Sequence, residues 1–368
     1  MLRKTYAKVD LGIIAENIRV LKRYAGTELM AVVKANAYGH GMLEVSKTCE
    51  KEGIRWFAVA TPDEAELLRE HTDKKILILS YPGFHGPVEE MIEKEISFAA
   101  FTPEQMEDAI LSSRKAGKKA LIHIKVDSGM GRIGLTTAEE MEELLDMIEA
   151  NPDELMLEGV FTHFANSDET DKSFAYEQLK RFENMVSLVR KRGFSPLVHA
   201  SNSAAILEMK EAHLDMCRMG IVLYGCAPSD EVGIEGTGLR PALSLHSFIS
   251  HKKVIHKGDT VSYGRHFTAE KDETVITVPI GYADGYMRIL SGNTFGIVNG
   301  HKVQQIGNIC MDQMMFLATG IECEIGDEIK LICDEIDAAE LARRAKTIDY
   351  EVLTNISSRI PRVYVNAD

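Results

Sequence analysis

Val32-Val33-Lys34-Ala35-Asn36-Ala37-Tyr38-Gly39-His40-Gly41 closes an apolar run that begins at Leu29. The run has the length of a buried strand, and the small residues and the Gly-His-Gly turn end it sharply before an amphipathic stretch over 41–53. A lysine delivered to the end of such a strand, among alanine and valine, is partly stripped of water, which disfavours its charged form. A neutral amine is a nucleophile that can form a Schiff base with an aldehyde. The same residues also fit an ordinary strand-end lysine with its head in water.

The strand-then-helix pattern recurs. Apolar runs at 29–33, 56–60, 76–80, 97–101, 120–126, 157–162 and 197–200 lead into helix-like stretches at 41–53, 62–71, 86–94, 103–117, 137–150, 172–192 and 202–209. An eighth apolar segment covers 217–224. Thr61-Pro62-Asp63-Glu64 and Thr102-Pro103-Glu104 each supply a cap followed by proline at the first helical position. Eight such repeats predict an α/β fold, a (β/α)8 TIM-type barrel, with a doubly wound sheet as the alternative. Chemistry in such a barrel gathers at the C-terminal ends of the strands, where Lys34, Lys125, His163 and His199 fall.

Past Gly225 the pattern changes. Pro228, Gly233, Gly236 and Gly238 mark a boundary, followed by strand-like segments at 243–256, 260–263, 274–280, 294–298 and 328–332 and one helix at 337–346. The expected organisation is a barrel over 10–230 and a mostly β C-terminal domain over 231–368, joined by an N-terminal strand within 1–9.

The chain has 368 residues, 45% of them hydrophobic and 27% charged, as in soluble globular proteins. Its 56 acids against 42 bases give a net charge of −14, which argues against nucleic acid or an anionic membrane as partner. No apolar leader and no run of 18 apolar residues occurs, so a cytoplasmic location is expected. The six cysteines show no CxxC and no disulfide rhythm, and no metal site is expected.

The 32–41 string resembles the cofactor-lysine motif of the alanine racemase family. The resemblance runs from Tyr6 to Pro361-Arg362 and includes His199-Ala-Ser-Asn-Ser-Ala-Ala, Cys217-Arg-Met-Gly220, Val261-Ser-Tyr-Gly264, Gly281-Tyr-Ala-Asp-Gly285 and Cys310-Met-Asp-Gln313. It implies that pyridoxal 5'-phosphate is carried on Lys34. Its phosphate is expected at Tyr38, Ser203 and the backbone amides of Gly220 and Ile221, its ring against His163, and its pyridine nitrogen against Arg218. An arginine stays protonated, so that nitrogen stays neutral and the ring is a weakened electron sink. Read without the family, Ser201-Asn202-Ser203 is equally a helix cap, Arg218 a structural ion pair and His163 a core histidine.

Racemisation takes a proton from one face of the α-carbon and returns one to the other, which calls for two groups. The resemblance assigns these to Lys34 and to Tyr263, the latter reaching the site of the other subunit in a head-to-tail homodimer. Arg132 and the Met311 backbone amide are implied to hold the substrate carboxylate, and Lys125 stands at the position where the family often carries a carbamylated lysine that orients this arginine. Carbamylation turns a cation into an anion and Lys–Arg repulsion into attraction. By residue type alone Tyr263 is also a plausible strand tyrosine, Met311 a core residue and Lys125 a solvated lysine. The expected function is interconversion of L- and D-alanine for peptidoglycan.

One departure stands out. Ser358, in Ile356-Ser-Ser-Arg-Ile-Pro-Arg362, occupies a position where the family commonly has tyrosine, which opens a serine or alanine/serine racemase as the alternative. Two further readings are a pyridoxal-dependent decarboxylase, with Cys310 near the site, and a non-catalytic cofactor carrier. Tyr263 and Arg132 argue against the first, and the second domain argues against the second.

Overall fold

The computed structural model describes residues 4–367. Two compact units divide them. One comprises Ile14–Ala37 and Met42–Arg240; the other joins the described residues up to Ile13, Tyr38–Gly41 and the described residues from Pro241 on.

The first unit is a parallel barrel. Its strands are β2 (Glu28–Val32), β3 (Trp56–Val59), β4 (Lys75–Ile78), β5 (Ser97–Ala100), β6 (Ala120–Lys125), β7 (Leu155–Phe161), β8 (Leu197–His199) and β9 (Met216–Met219), after β1 (Tyr6–Asp10) of the other unit. Their order is β8-β7-β6-β5-β4-β3-β2-β9, every pair parallel. Backbone hydrogen bonds from Asp215 to Val198 and from Arg218 to Ser201 (3.1 and 3.0 Å) draw β9 against β8 and nearly close the ring. The strands read as apolar runs because helices cover their outer face and side chains fill the inside. Thr61, Thr102 and Thr137 cap the helices Pro62–Arg69, Pro103–Ala116 and Ala138–Ala150, the last with a reciprocal bond from Glu140.

Inside the barrel the packing is not wholly apolar. The register of β6 on β7 slips between Ile122 and His123, so that Ile122 faces Leu157 and His123 faces Gly159, leaving Glu158 as an extra residue. Such a bulge re-aims a side chain, and the Glu158 carboxylate lies buried, accepting from Lys75 Nζ (2.8 Å), Ser97 Oγ and His123 Nε2 (3.3 Å). Gly159 is needed beside it, because a Cβ there would lie 2.1 Å from His123 Nδ1.

The second unit is built on a nine-stranded sheet. Its strands are β10 (Leu243–Phe248), β11 (His251–Ile255), β14 (Glu273–Val278), β15 (Phe295–Val298), β16 (His301–Ile306), β17 (Met314–Leu317), β18 (Glu328–Ile332) and β19 (Arg362–Val365), with β1. The order is β11-β14-β17-β16-β15-β18-β10-β1-β19, and β12 (Thr260–Val261) pairs separately with β13 (Phe267–Thr268). The Gly39 carbonyl accepts from Arg362 Nε (2.9 Å), within the same unit.

Four expectations need correction. The segment 243–256 is two strands separated at Ile249-Ser250. The strand at 260–263 stops at Val261, because Ser262 takes φ 69° and the chain turns at Tyr263–Arg265. The eighth barrel segment is strand only to Met219, and Ile221–Tyr224 is a 3-10 turn. The N-terminal strand begins at Tyr6; Arg3, where it was expected to start, lies outside the described residues.

Two stability outcomes follow. Asn17, fully buried, donates to the carbonyls of Leu223 and Arg240 and accepts from Arg240 N (3.1, 2.9 and 3.0 Å). Asn17→Leu strands these groups and should cost about 3 kcal/mol, read as a lowered urea midpoint. Burial raises the Glu158 carboxyl, but bonds from His123, Lys75 and Ser97 outweigh it and hold the group below its ordinary 4.5. A depressed carboxyl contributes stability that is complete above its unfolded value and lost as pH falls through the folded one. Glu158→Gln should therefore flatten the loss of stability as pH falls below about 4.5; parallel acid limbs for both proteins would refute the assignment.

Candidate active site

Beyond β2 the chain does something unusual for L-residues. Ala35, Asn36, Ala37 and Tyr38 hold φ between 50° and 54°, one left-handed turn. Two alanines limit the steric cost, and Asn36 Oδ1 accepts from Met42 N (2.9 Å) to tie the turn to the next helix. Glu64 accepts from the amides of Ala35 (2.6 Å) and Ala60 (2.8 Å) and so fixes the exit of Lys34. Burial lowers the Lys34 amine from its ordinary value, the charge of Arg132 lowers it further, and Glu64 opposes them. Burial raises the Tyr38 phenol.

At the C-terminal end of β6, Lys125 is buried, with Nζ donating to Val126 O (2.8 Å) and lying 5.3 Å over the Phe161 ring. Burial, Arg218 and Arg132 bring its amine down to about 7, against the pull of Asp127. Asp127 folds the next turn by accepting from the amides of Gly129, Gly131 and Arg132 (2.9, 3.0 and 2.8 Å), which leaves the Arg132 side chain exposed.

Arg218, on β9, is 4% exposed. It donates to the carbonyls of Thr162, Ala200 and His199 (2.8, 2.9 and 3.1 Å), to His199 Nδ1 (3.0 Å) and to His163 Nδ1 (3.2 Å). Among the described residues it has no ion-pair partner. Burial brings it down to about 10, still protonated at neutral pH. Burial, followed by the charges of Arg218, Arg132, Lys125 and Lys34, puts His163 well below its ordinary value. One cluster thus holds Lys34, Lys125, Arg132, His163 and Arg218, with an excess of positive charge suited to an anionic ligand. Beside it, Ser203 Oγ accepts from Gly220 N (3.2 Å), and Ile221 opens the turn that follows β9.

Tyr263 and Met311 belong to the second unit. Tyr263 is 74% exposed on a turn where Ser262, Gly264 and Arg265 all have positive φ, and its carbonyl accepts from Asn308 Nδ2 (2.7 Å). The Met311 carbonyl accepts from Ala283 N (3.0 Å), and its side chain is exposed. Gly281 permits this approach, since a Cβ would lie 2.2 Å from Cys310 O. Ser358 is exposed, beside Arg359, which binds Asp312 (2.7 Å).

Sequence reading does not single out His123, Glu158 or Lys75, which extend the polar contacts of His199 through the barrel. The available signal was a histidine and a glutamate inside strands that are otherwise apolar, His123 in Ala120–Lys125 and Glu158 in Leu155–Phe161.

Comparison with known proteins agrees with this geometry. Residues 9–228 match the family model "Alanine racemase, N-terminal domain", and 242–364 match "Alanine racemase, C-terminal domain". An alanine racemase of Clostridium perfringens (strain SM101 / Type A) is 41% identical over 372 residues, covering 99% of this chain and 96% of that protein. The crystal structure of alanine racemase from D-cycloserine-producing Streptomyces lavendulae superposes with a TM-score of 0.94 at 34% identity, over 100% of this chain and 98% of that one. Alanine racemase from Bartonella henselae, solved with covalently bound pyridoxal phosphate, superposes with a TM-score of 0.88 at 29% identity, over 98% and 99%. The chain belongs to the alanine racemase family, as an amino-acid racemase built on a (β/α)8 barrel with a mostly β C-terminal domain.

Proposed function

We propose that the chain interconverts L- and D-alanine in the cytoplasm with pyridoxal 5'-phosphate, supplying D-alanine for peptidoglycan. The observation that carries this reading is the Arg218 guanidinium, buried without a carboxylate partner, in one cluster with the lowered amine of Lys34. When bound, the cofactor draws electrons from the substrate α-carbon. The barrel, 10–230, would hold it: Lys34 as the covalent anchor, Tyr38, Ser203 and the amides of Gly220 and Ile221 for the phosphate, and His163 for the ring. Arg218 does not give up its proton readily, so a pyridine nitrogen held against it would stay unprotonated and electron withdrawal would stay moderate.

Proton traffic belongs to two side chains. Lys34 serves one face of the α-carbon, and its lowered pKa leaves a larger neutral fraction to accept a proton. Tyr263 of the partner subunit serves the other face in a homodimer. Its exposure supports that role, since a tyrosine that only packed its own domain would be buried. The second domain, 231–368 with 1–9, supplies this tyrosine and the Met311 amide, which with Arg132 binds the substrate carboxylate.

Lys125 we assign as a carbamate. A buried amine at about 7 is nucleophilic at neutral pH and adds to carbon dioxide, forming an N–C bond and releasing one proton. The resulting anion lies among the charges of Arg218 and Arg132, where an ammonium is repelled.

Chiral analysis of products from L-alanine tests the reaction: a racemic end point is expected, and no D-alanine refutes it. Lys34→Ala should lose the visible absorption band of the loaded protein. Tyr263→Phe should slow α-proton exchange from L-alanine by about 10²-fold or more, with a smaller effect from D-alanine; equal losses refute its face-specific role. Protein equilibrated with 13C-bicarbonate should give a carbamate resonance that Lys125→Ala abolishes.

A further inference from the structure

A continuous line of hydrogen bonds crosses the barrel interior from Arg218 to the N-terminal end of β4. Arg218 meets His199 Nδ1 (3.0 Å), His199 Nε2 meets His123 Nδ1 (3.0 Å), and His123 Nε2 meets Glu158 Oε2 (3.3 Å). The other carboxylate oxygen takes Lys75 Nζ (2.8 Å), whose side chain is half exposed and lies 5.9 Å over the Trp56 ring. His123 and His199 are fully buried. Their rings are held edge-on to each other at 5.3 Å, with His199 stacked on Phe161 (4.9 Å, 2°) and His123 edge-on to Trp56 (5.7 Å).

The donor inventory allows one proton order along this line. A guanidinium only donates, so His199 Nδ1 must present a lone pair and the ring must carry its hydrogen on Nε2. That hydrogen points at His123 Nδ1, which must then accept, so His123 carries its hydrogen on Nε2. An ionised carboxylate only accepts, and it stands opposite that hydrogen. The guanidinium at one end and the carboxylate at the other therefore demand the same polarity of two neutral imidazoles. Reversing either ring brings two donors or two acceptors face to face at 3.0 Å in a fully buried site.

From this we infer that Glu158 and His123 are positioning residues, which hold His199 in the one tautomer that accepts from Arg218 and so keep the guanidinium in place without a carboxylate touching it. The inference rests on the proposed role of Arg218 toward the cofactor ring. A carboxylate in direct contact would satisfy Arg218 equally well as a structural group, but would neutralise the charge that faces the ring. Here the counter-charge sits two imidazoles away, close enough to keep the buried line polarised. The bulge that turns Glu158 inward and the glycine that admits His123 exist for this line; neither is needed to close the barrel.

The experiment is long-range 1H–15N spectroscopy of the 15N-histidine-labelled holoenzyme, which reads imidazole tautomers directly. In the native protein His123 and His199 should both carry hydrogen on Nε2, and an Nδ1–H form of either ring overturns the proposal without any variant having to fold. In Glu158→Leu the acceptor opposite His123 Nε2 is removed, so the carboxylate end no longer orders the line. An Nδ1–H signal on His123 should appear, with kcat falling about tenfold or more, the scale on which outer partners of a functional histidine act, and KM for alanine little changed. Unaltered tautomers or unaltered kcat in that variant overturn the proposal. Native tautomer order in a protein with neither visible band nor racemisation would instead refute the cofactor reading and leave the proton order standing.

Discussion

A permanently charged group buried away from any carboxylate sets the terms for the barrel interior. Arg218 could not be placed there at tolerable cost unless its donors found acceptors, and they find three carbonyls and two imidazole nitrogens. Those acceptors come from the ends of β7 and β8 and the residues just beyond, so these strands must end side by side at one depth. The seam between β8 and β9, held by two backbone hydrogen bonds, is what brings Arg218 to that depth. Strand register and site electrostatics are thus one constraint.

The same charge orders its neighbours. With Arg132 and Lys125 it depresses His163, and it joins burial in lowering Lys125. Each lysine in the cluster is pushed toward its neutral form, and neutral amines are what nucleophilic chemistry requires. The glutamate side of the barrel compensates at a distance: Glu158 remains ionised and anchors the far end of the polar line.

Much of this was legible in the chain. Parallel strands covered on both faces must be apolar throughout, so the barrel strands at 56–60, 97–101 and 120–126 end within a residue of where they are observed. The second domain was less legible. β16, His-Lys-Val-Gln-Gln-Ile, has four polar residues of six, one of them the buried Gln305, and β17 and β19 are only four residues long. Tyr263 was expected on a strand and sits on a turn, because the positive φ of Ser262 has no sequence signature in a serine. Glu158 was hidden for a different reason: period-two alternation turns it outward, and only a register slip against β6 turns it inward. Lys34, Lys125, His163 and His199 stood out because strand ends concentrate chemistry in this architecture, whereas Arg218 was singled out only by the family resemblance.

The left-handed turn at Ala35–Tyr38 has a consequence for how the molecule is made. Four L-residues in that conformation cost about 1–2 kcal/mol each as an isolated peptide, more than the local bonds from Met42 N to Asn36 and from Ala37 N to Val33 O return at about 1 kcal/mol each. The chain just after the turn is secured by Arg362, which donates to the Gly39 carbonyl across 323 positions of sequence. Closing so long a loop costs entropy before the contact rewards it, so the segment that follows Lys34 takes its final form late in folding.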